Sequence, residues 1–206
     1  RYTVLSQVAF DKDSDVSRDS FVRLYNADLA NDFGNLLKRS LSMTKRYRGG
    51  DRSEPTDGAL ASTWAPIFET YGQTLEACLL HEALETLWSF VGEANRFVEA
   101  EQPWTLAKAA RNGDAEADEK LTGVLGDLLE ACRVIAFAAP PFMPRAAARA
   151  AAQLGVAYDY ADDGNDGPAL RELAAWGALE PGGSIGAAEP LFPRLETDEA
   201  EEETGA

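Results

Sequence analysis

The chain has 206 residues, of which 45% are apolar, 26% charged and 9% aromatic. That supports one sizeable core, or at most two small ones, and excludes a wholly disordered chain. No stretch approaches the roughly 20 consecutive apolar residues of a membrane helix, and a net charge of −16 argues against a polyanionic partner unless the charge is unevenly spread.

The chain starts at Arg1 without a methionine, inside a strand-like run over residues 2–10, so a piece of a longer protein is expected. Residues 1–16 read as a connector. Ser17 or Asp19 is placed to cap a helix. From there Val22, Tyr25, Leu29, Phe33, Leu36, Met43 and Tyr47 recur every three or four residues until Gly49-Gly50, predicting one long amphipathic helix. Its end is basic: residues 36–52 carry six cations against Asp51 alone. Such a cluster also suits a solvated helix end, where cations complement the dipole.

After a loop over 50–58, Trp64, Ile67, Phe68 and Tyr71 begin a helical stripe that Leu80, Leu84, Leu87, Val91, Ala94 and Val98 continue to Pro103. Residues 104–108 read as a single turn, and Asn112-Gly113-Asp114 as a break. Leu121, Val124, Leu128, Ala131 and Ile135 mark a further helix, stopped by Pro140-Pro141. Pro144 opens a last, alanine-rich helix that runs to Leu154-Gly155. Residues 17–155 therefore form an all-α antiparallel bundle. Residues 156–206 form a closing segment with an irregular acidic tail, holding 13 acids and two bases from 157 onward.

Several pattern matches carry no chemistry. Asp162-Asp163-Gly164-Asn165-Asp166 has an acidic metal-binding spacing but lies in a loop composition. Gly182-Gly183-Ser184-Ile185-Gly186 has nucleophile-elbow spacing but lacks a preceding strand and a downstream histidine. His81 is the single histidine, so neither a zinc pair nor a di-iron bundle is available. No catalytic residue and no metal site is expected. Cys78 and Cys132 have no basic neighbours in sequence and read as buried core thiols. With no signal peptide in view, they point to the cytoplasm.

Two stretches combine helical period with polar groups suited to recognition. Asn31, Asn35 and Arg39 recur every four residues, forming a polar ridge beside the apolar stripe. Amide and guanidinium groups one turn apart can read a base edge. Pro103-Trp104 sets an indole just after a helix junction, where it can be held out for a base to stack on. The milder readings are that Trp104 is a core aromatic and that Arg39 pairs with Asp32 or Asp28.

These stretches, followed by Leu128 to Ala136 and by Pro141-Phe142-Met143-Pro144, resemble the anticodon-binding domain of methionyl-tRNA synthetases. The resemblance extends from the Arg1-Tyr2 entry to Pro190-Leu191-Phe192-Pro193-Arg194. It implies an RNA-binding part of a class I aminoacyl-tRNA synthetase, with tRNA-Met and its own catalytic domain as partners, and neither membrane nor DNA. The HIGH and KMSKS signatures are absent from the sequence, so ATP, magnesium and methionine are expected on the catalytic part and no cofactor on this one. Carried over residue by residue, the anticodon readers are Asn35, Arg39 and Trp104, with Pro103 shaping the turn. Lys45, Arg46 and Arg48 would meet backbone phosphates. Asn95, Arg96 and Arg133 match family-like stretches but suit hydrogen bonds within the bundle. The alternatives are the corresponding domain of an isoleucyl, valyl, leucyl or cysteinyl enzyme, and a helical protein-interaction domain.

Overall fold

A computed structural model describes residues 1–7, 17–158 and 170–196. Helices α1 (Tyr2–Gln7), α2 (Arg18–Leu24), a π-helical stretch (Tyr25–Phe33), α3 (Gly34–Arg48), α4 (Ala59–Glu76), α5 (Leu80–Glu101), α6 (Pro103–Arg111), α7 (Ala115–Ala138), α8 (Pro144–Leu154) and α9 (Leu170–Leu173) build it. Among the described residues there is no strand, only an isolated bridge between Asp51 and Ser184. The all-α bundle expected from the periodicity is what forms.

The rod from α2 to α3 runs as one helix, begun and ended where the sequence indicates. Ser17 Oγ accepts from the Ser20 amide, and Gly49 takes the left-handed conformation at φ 68°. What the period did not reveal is the π stretch, nine residues long and directly before the polar ridge. It closes with the Gly34 N–H on the Leu29 carbonyl, five residues back. A Cβ on residue 34 would lie 2.8 Å from that oxygen, so only glycine fits. Wide turns of this kind cluster at functional sites.

Three expectations are corrected. Residues 2–7 form a helix rather than an extended piece: Tyr2 is buried against Trp88, with ring centroids 4.7 Å apart, and its hydroxyl donates to Asp28 Oδ2 at 2.8 Å. The stripe from Trp64 to Val98 is an α4/α5 hairpin, because the chain reverses at Ala77 to Leu79. Cys78 there takes φ 59°, and the Leu79 amide bonds back to the Thr74 carbonyl at 2.8 Å. That is the closure usually marked by glycine. With cysteine in the left-handed position, the sequence carried no stop signal. Cys78 is also exposed, not a core thiol; only Cys132 is buried.

Helix α7 is the axis of the bundle. Every residue from 124 to 138 is buried, the mark of a helix surrounded on all sides. Its interior carries an ion pair: Arg133 Nε and Nη2 each lie 2.7 Å from a Glu130 carboxylate oxygen. The rest of the pair is saturated by the closing segment. Arg133 donates to the Leu173 and Ala175 carbonyls, and Glu130 accepts from the Gly177 and Ala178 amides. This satisfies the requirement that a buried charge be both paired and hydrogen-bonded. The closing segment then crosses the bundle and ends against the π stretch, where Asn26 and the Leu195 backbone exchange two hydrogen bonds of 2.9 Å.

Candidate nucleic-acid interface

The site lies where α3 and α6 run side by side. At the end of α5, Gln102 takes φ 46°, and Pro103 follows as the first residue of α6. Proline suits that position because the amide it lacks would be unpartnered there in any case. Pro103 is buried and anchors the corner, which directs Trp104 outward. Trp104 is 39% exposed, whereas Trp64 is buried and Trp88 and Trp176 are half-buried. An amphipathic ring of this size in the open is unusual for a residue worth burying.

Arg39 faces Trp104 from α3, its Cζ 5.8 Å from the ring centroid. Its Nη1 also lies 2.7 Å from Glu99 Oε1, in the last turn of α5. The pairing with Asp32 or Asp28 does not occur, because those residues lie on the preceding turns, where Asp28 takes the Tyr2 hydroxyl. Glu99 is the residue that sequence reasoning missed. Its only signal is a place five residues before Trp104, and it joins Arg39 only through the fold. A cation held over an aromatic face at a partly exposed site is worth about 0.5–1 kcal/mol, and a surface ion pair about 0.2–1 kcal/mol. Both are weak enough to be exchanged for a ligand.

Asn35 stands one turn before Arg39, exposed and without a protein partner among the described residues. The structure therefore brings Arg39 and Trp104 together, with Asn35 one turn before Arg39 on α3 and Pro103 directly before the ring at the start of α6. It divides the basic residues at the end of α3. Lys45 and Arg46 are exposed, with the Arg46 guanidinium 5.7 Å from the Tyr47 ring. Arg46 and Tyr47 also line a groove of about 340 Å³ with Ala107, Ala110 and Arg111 of α6. Arg48 instead turns to α7, where Nη2 donates to Asp118 Oδ1 at 2.9 Å, to the Asp118 carbonyl at 2.9 Å and to Thr122 Oγ1 at 2.8 Å. It serves the bundle rather than an open surface.

The residues set aside behave as intra-bundle groups. The Asn95 amide donates to the Val91 carbonyl at 3.0 Å, Arg96 pairs with Glu93, and Arg133 is the buried partner of Glu130. Half-buried His81 lies between Glu85 Oε1 at 3.3 Å and the Leu5 carbonyl. Among the described residues no cluster of His, Cys, Asp or Glu could hold a metal, and no helix is long and apolar enough to cross a membrane. Residues 162–166 lie outside the described part. Ser184 lies in the isolated bridge to Asp51, its hydroxyl donating to Asp51 Oδ1. Burial pushes the Cys132 thiol up to about 12, so it is inert.

Comparison with known proteins gives a consistent result. Residues 48–205 match the family model of the anticodon binding domain of methionyl tRNA ligase, and residues 1–41 match that of class I tRNA synthetases (M). The methionine–tRNA ligase of Fusobacterium nucleatum is 32% identical over 206 residues, which cover 98% of this chain and 31% of that protein. The Thermotoga maritima ligase is 31% identical over 201 residues, covering 95% and 30% respectively. The ligand-free Mycobacterium tuberculosis methionyl-tRNA synthetase superposes with a TM-score of 0.80 at 32% identity, over 95% of this chain and 38% of that one. The chain spans about a third of the length of the curated relatives it matches. It belongs to the family of methionyl-tRNA ligase anticodon-binding domains.

Proposed function

We propose that this family member reads the CAU anticodon of tRNA-Met on behalf of a methionine–tRNA ligase, in the cytoplasm. The observation that carries the reading is the open Trp104 ring with Arg39 held over it and the unpartnered Asn35 amide one helical turn away. Stacking supplies affinity for any base, because every base has a π face. Discrimination needs hydrogen bonds to a base edge, and the Arg39 guanidinium and Asn35 amide supply donors and an acceptor at helical spacing. In this reading Trp104 stacks on the first anticodon base, while Arg39 and Asn35 bond the splayed bases. Pro103 fixes the corner, and Lys45 and Arg46 meet phosphates. ATP, magnesium and methionine belong to the catalytic domain with which this part works. The chain itself holds the loop while chemistry proceeds elsewhere.

The test is binding of the 206-residue chain to a labelled anticodon stem-loop bearing CAU, beside one with the first base changed. CAU should bind more tightly, and Trp104→Ala should erase the preference. Equal binding of both loops by a folded chain would remove Trp104 from the reader and leave a protein-interaction surface as the better account.

A further inference from the structure

The most acidic stretch of the sequence follows directly on the part of the closing segment that packs against the polar ridge. Phe192 meets the edge of Tyr25 at 6.1 Å and lies beside Gly34, where an added Cβ would sit 3.3 Å from its ring. Arg194 Nη2 donates to Asn31 Oδ1 at 3.0 Å, and the Asn26–Leu195 exchange clamps the next residue. The chain therefore leaves the bundle beside the ridge. After Glu196 come Asp198, Glu199, Glu201, Glu202 and Glu203, which lie outside the described residues.

The ridge at that point is rich in donors and short of acceptors. Lys38 and Arg194 line one groove of about 470 Å³, and the Lys38 ammonium has no carboxylate partner among the described residues. Asn31 spends its oxygen on Arg194, and Asn35 keeps its whole amide. The next cation along shows what such an edge takes: Arg39 holds the Glu99 carboxylate at 2.7 Å, and an ionised carboxylate is a pure acceptor. Reach decides which acids can do the same at Lys38. Asn26 and Lys38 are at most about 18 Å apart along the helix, while the eight residues from Leu195 to Glu203 span up to about 27 Å. The acids of the tail are therefore within range of Asn31, Asn35 and Lys38.

From this we infer that the acidic tail, residues 197–206, docks on the Asn35–Lys38 face of α3 and competes there with RNA. Its carboxylates accept from the Lys38 ammonium and the Asn35 amide, the donors that the fold leaves open. The inference rests on the reading that this ridge takes the anticodon loop. Tethering at Leu195 gives the tail an effective concentration in the millimolar range, which compensates for the weakness of exposed ion pairs. A loop that also stacks on Trp104 displaces it. Because one competitor opposes every RNA alike, the tail lowers affinity for all loops by the same factor and leaves the CAU preference intact.

The experiment treats the 206-residue chain, dilute and at low ionic strength, with a carbodiimide that joins carboxylates to lysine amines in contact. Tryptic mapping of the monomeric product should find tail carboxylates joined to Lys38, and excess CAU stem-loop should suppress that product. Lys120, which pairs with Glu101 at 2.8 Å, is the control. A second chain carries Asp198→Asn, Glu199→Gln, Glu201→Gln, Glu202→Gln and Glu203→Gln. It should bind CAU and first-base-changed loops more tightly by the same factor, about fivefold, the upper range of an exposed ion pair. The gain should fade as the Debye length falls from about 30 Å at 0.01 M salt to about 8 Å at 0.15 M. If the tail joins Lys38 no more than Lys120, or joins only between chains, the docking is wrong and any gain in affinity is general repulsion. If Lys38 is joined but neutralising the tail leaves CAU binding unchanged, the competition falls and the anticodon reading survives. If neither folded chain binds any loop, both fall.

Discussion

Arg39 and Arg133 are the same residue in opposite circumstances. Arg133 is buried in α7, saturated by Glu130 and two carbonyls of the closing segment. Arg39 is about a third exposed, held by one carboxylate and one ring, and flanked by Asn35 without a partner. Around Arg133 four of the five guanidinium hydrogens are spent on the fold, whereas along α3 and α6 donors are available. Lys38, Lys45, Arg46, Lys108 and Arg111 also lie there without a carboxylate partner among the described residues. A chain of net charge −16 can thus offer a cationic edge to a polyanion, because much of its acidity lies in other parts of the sequence. A saturated cation stabilises, and an unsaturated one binds.

The contrast is broken most forcefully on the structural side. Glu130→Ala leaves a buried guanidinium without its counter-ion and frees the Gly177 and Ala178 amides. Losing one partner of a buried pair costs about 3–5 kcal/mol. For a chain of this length that lowers Tm by about 10 °C or more, as read by thermal denaturation followed by circular dichroism. A melting temperature within two or three degrees of the parent would mean that Arg133 is adequately paired by carbonyls alone.

On the binding side, Trp104→Ala should do the reverse, leaving Tm nearly unchanged because the ring is open. It should weaken CAU stem-loop binding by about one to two decades, since base stacking is worth about 1–3 kcal/mol. The ratio of the two effects across the two variants is the sharpest form of the comparison. If Trp104→Ala also lowered Tm by several degrees, the indole would belong to the core. The double variant Lys45→Ala with Arg46→Ala comes next. If both cations meet phosphates, the slope of log affinity against log salt should flatten by about 1.4, at about 0.7 per phosphate on a single strand. Arg48→Ala should leave the slope unchanged and cost stability instead, because its guanidinium is spent on Asp118 and Thr122.

How much of this could be read from the sequence depends on where each signal resides. The bundle, the Ser17 cap, the Gly49 stop and the Pro103 corner are local signals of period and backbone preference, and the structure keeps them all. The α4/α5 reversal was hidden because Cys78 occupies a left-handed position that glycine normally advertises. The π stretch leaves the apolar period almost intact, so it was invisible until Gly34 was seen against the Leu29 carbonyl. The Asn35, Arg39 and Trp104 set came from spacing and resemblance together. The partner that gives it shape, Glu99, stands sixty residues from Arg39 in the sequence and meets it only through the fold, so no local pattern announces the pair.

Glu99 offers the smallest effect and the most specific one. It sits 2.7 Å from Arg39 on an edge otherwise available to phosphates and bases, so it does two things at once. It orients the guanidinium over Trp104, and it opposes any anion that approaches. In Glu99→Gln the amide can still accept from Arg39, so orientation is largely kept while the opposing charge is lost. Because the pair is partly exposed, the change is limited to the range of surface ion pairs, about 0.2–1 kcal/mol, or at most about fivefold in affinity. The expected direction is tighter binding, shared by CAU and first-base-changed loops and fading as salt rises. Glu99→Ala, which removes orientation as well, should lose part of the CAU preference that Glu99→Gln retains. Weaker binding in Glu99→Gln would mean that Arg39 needs the full carboxylate to hold its pose, and that the ion pair positions the guanidinium more than it opposes RNA.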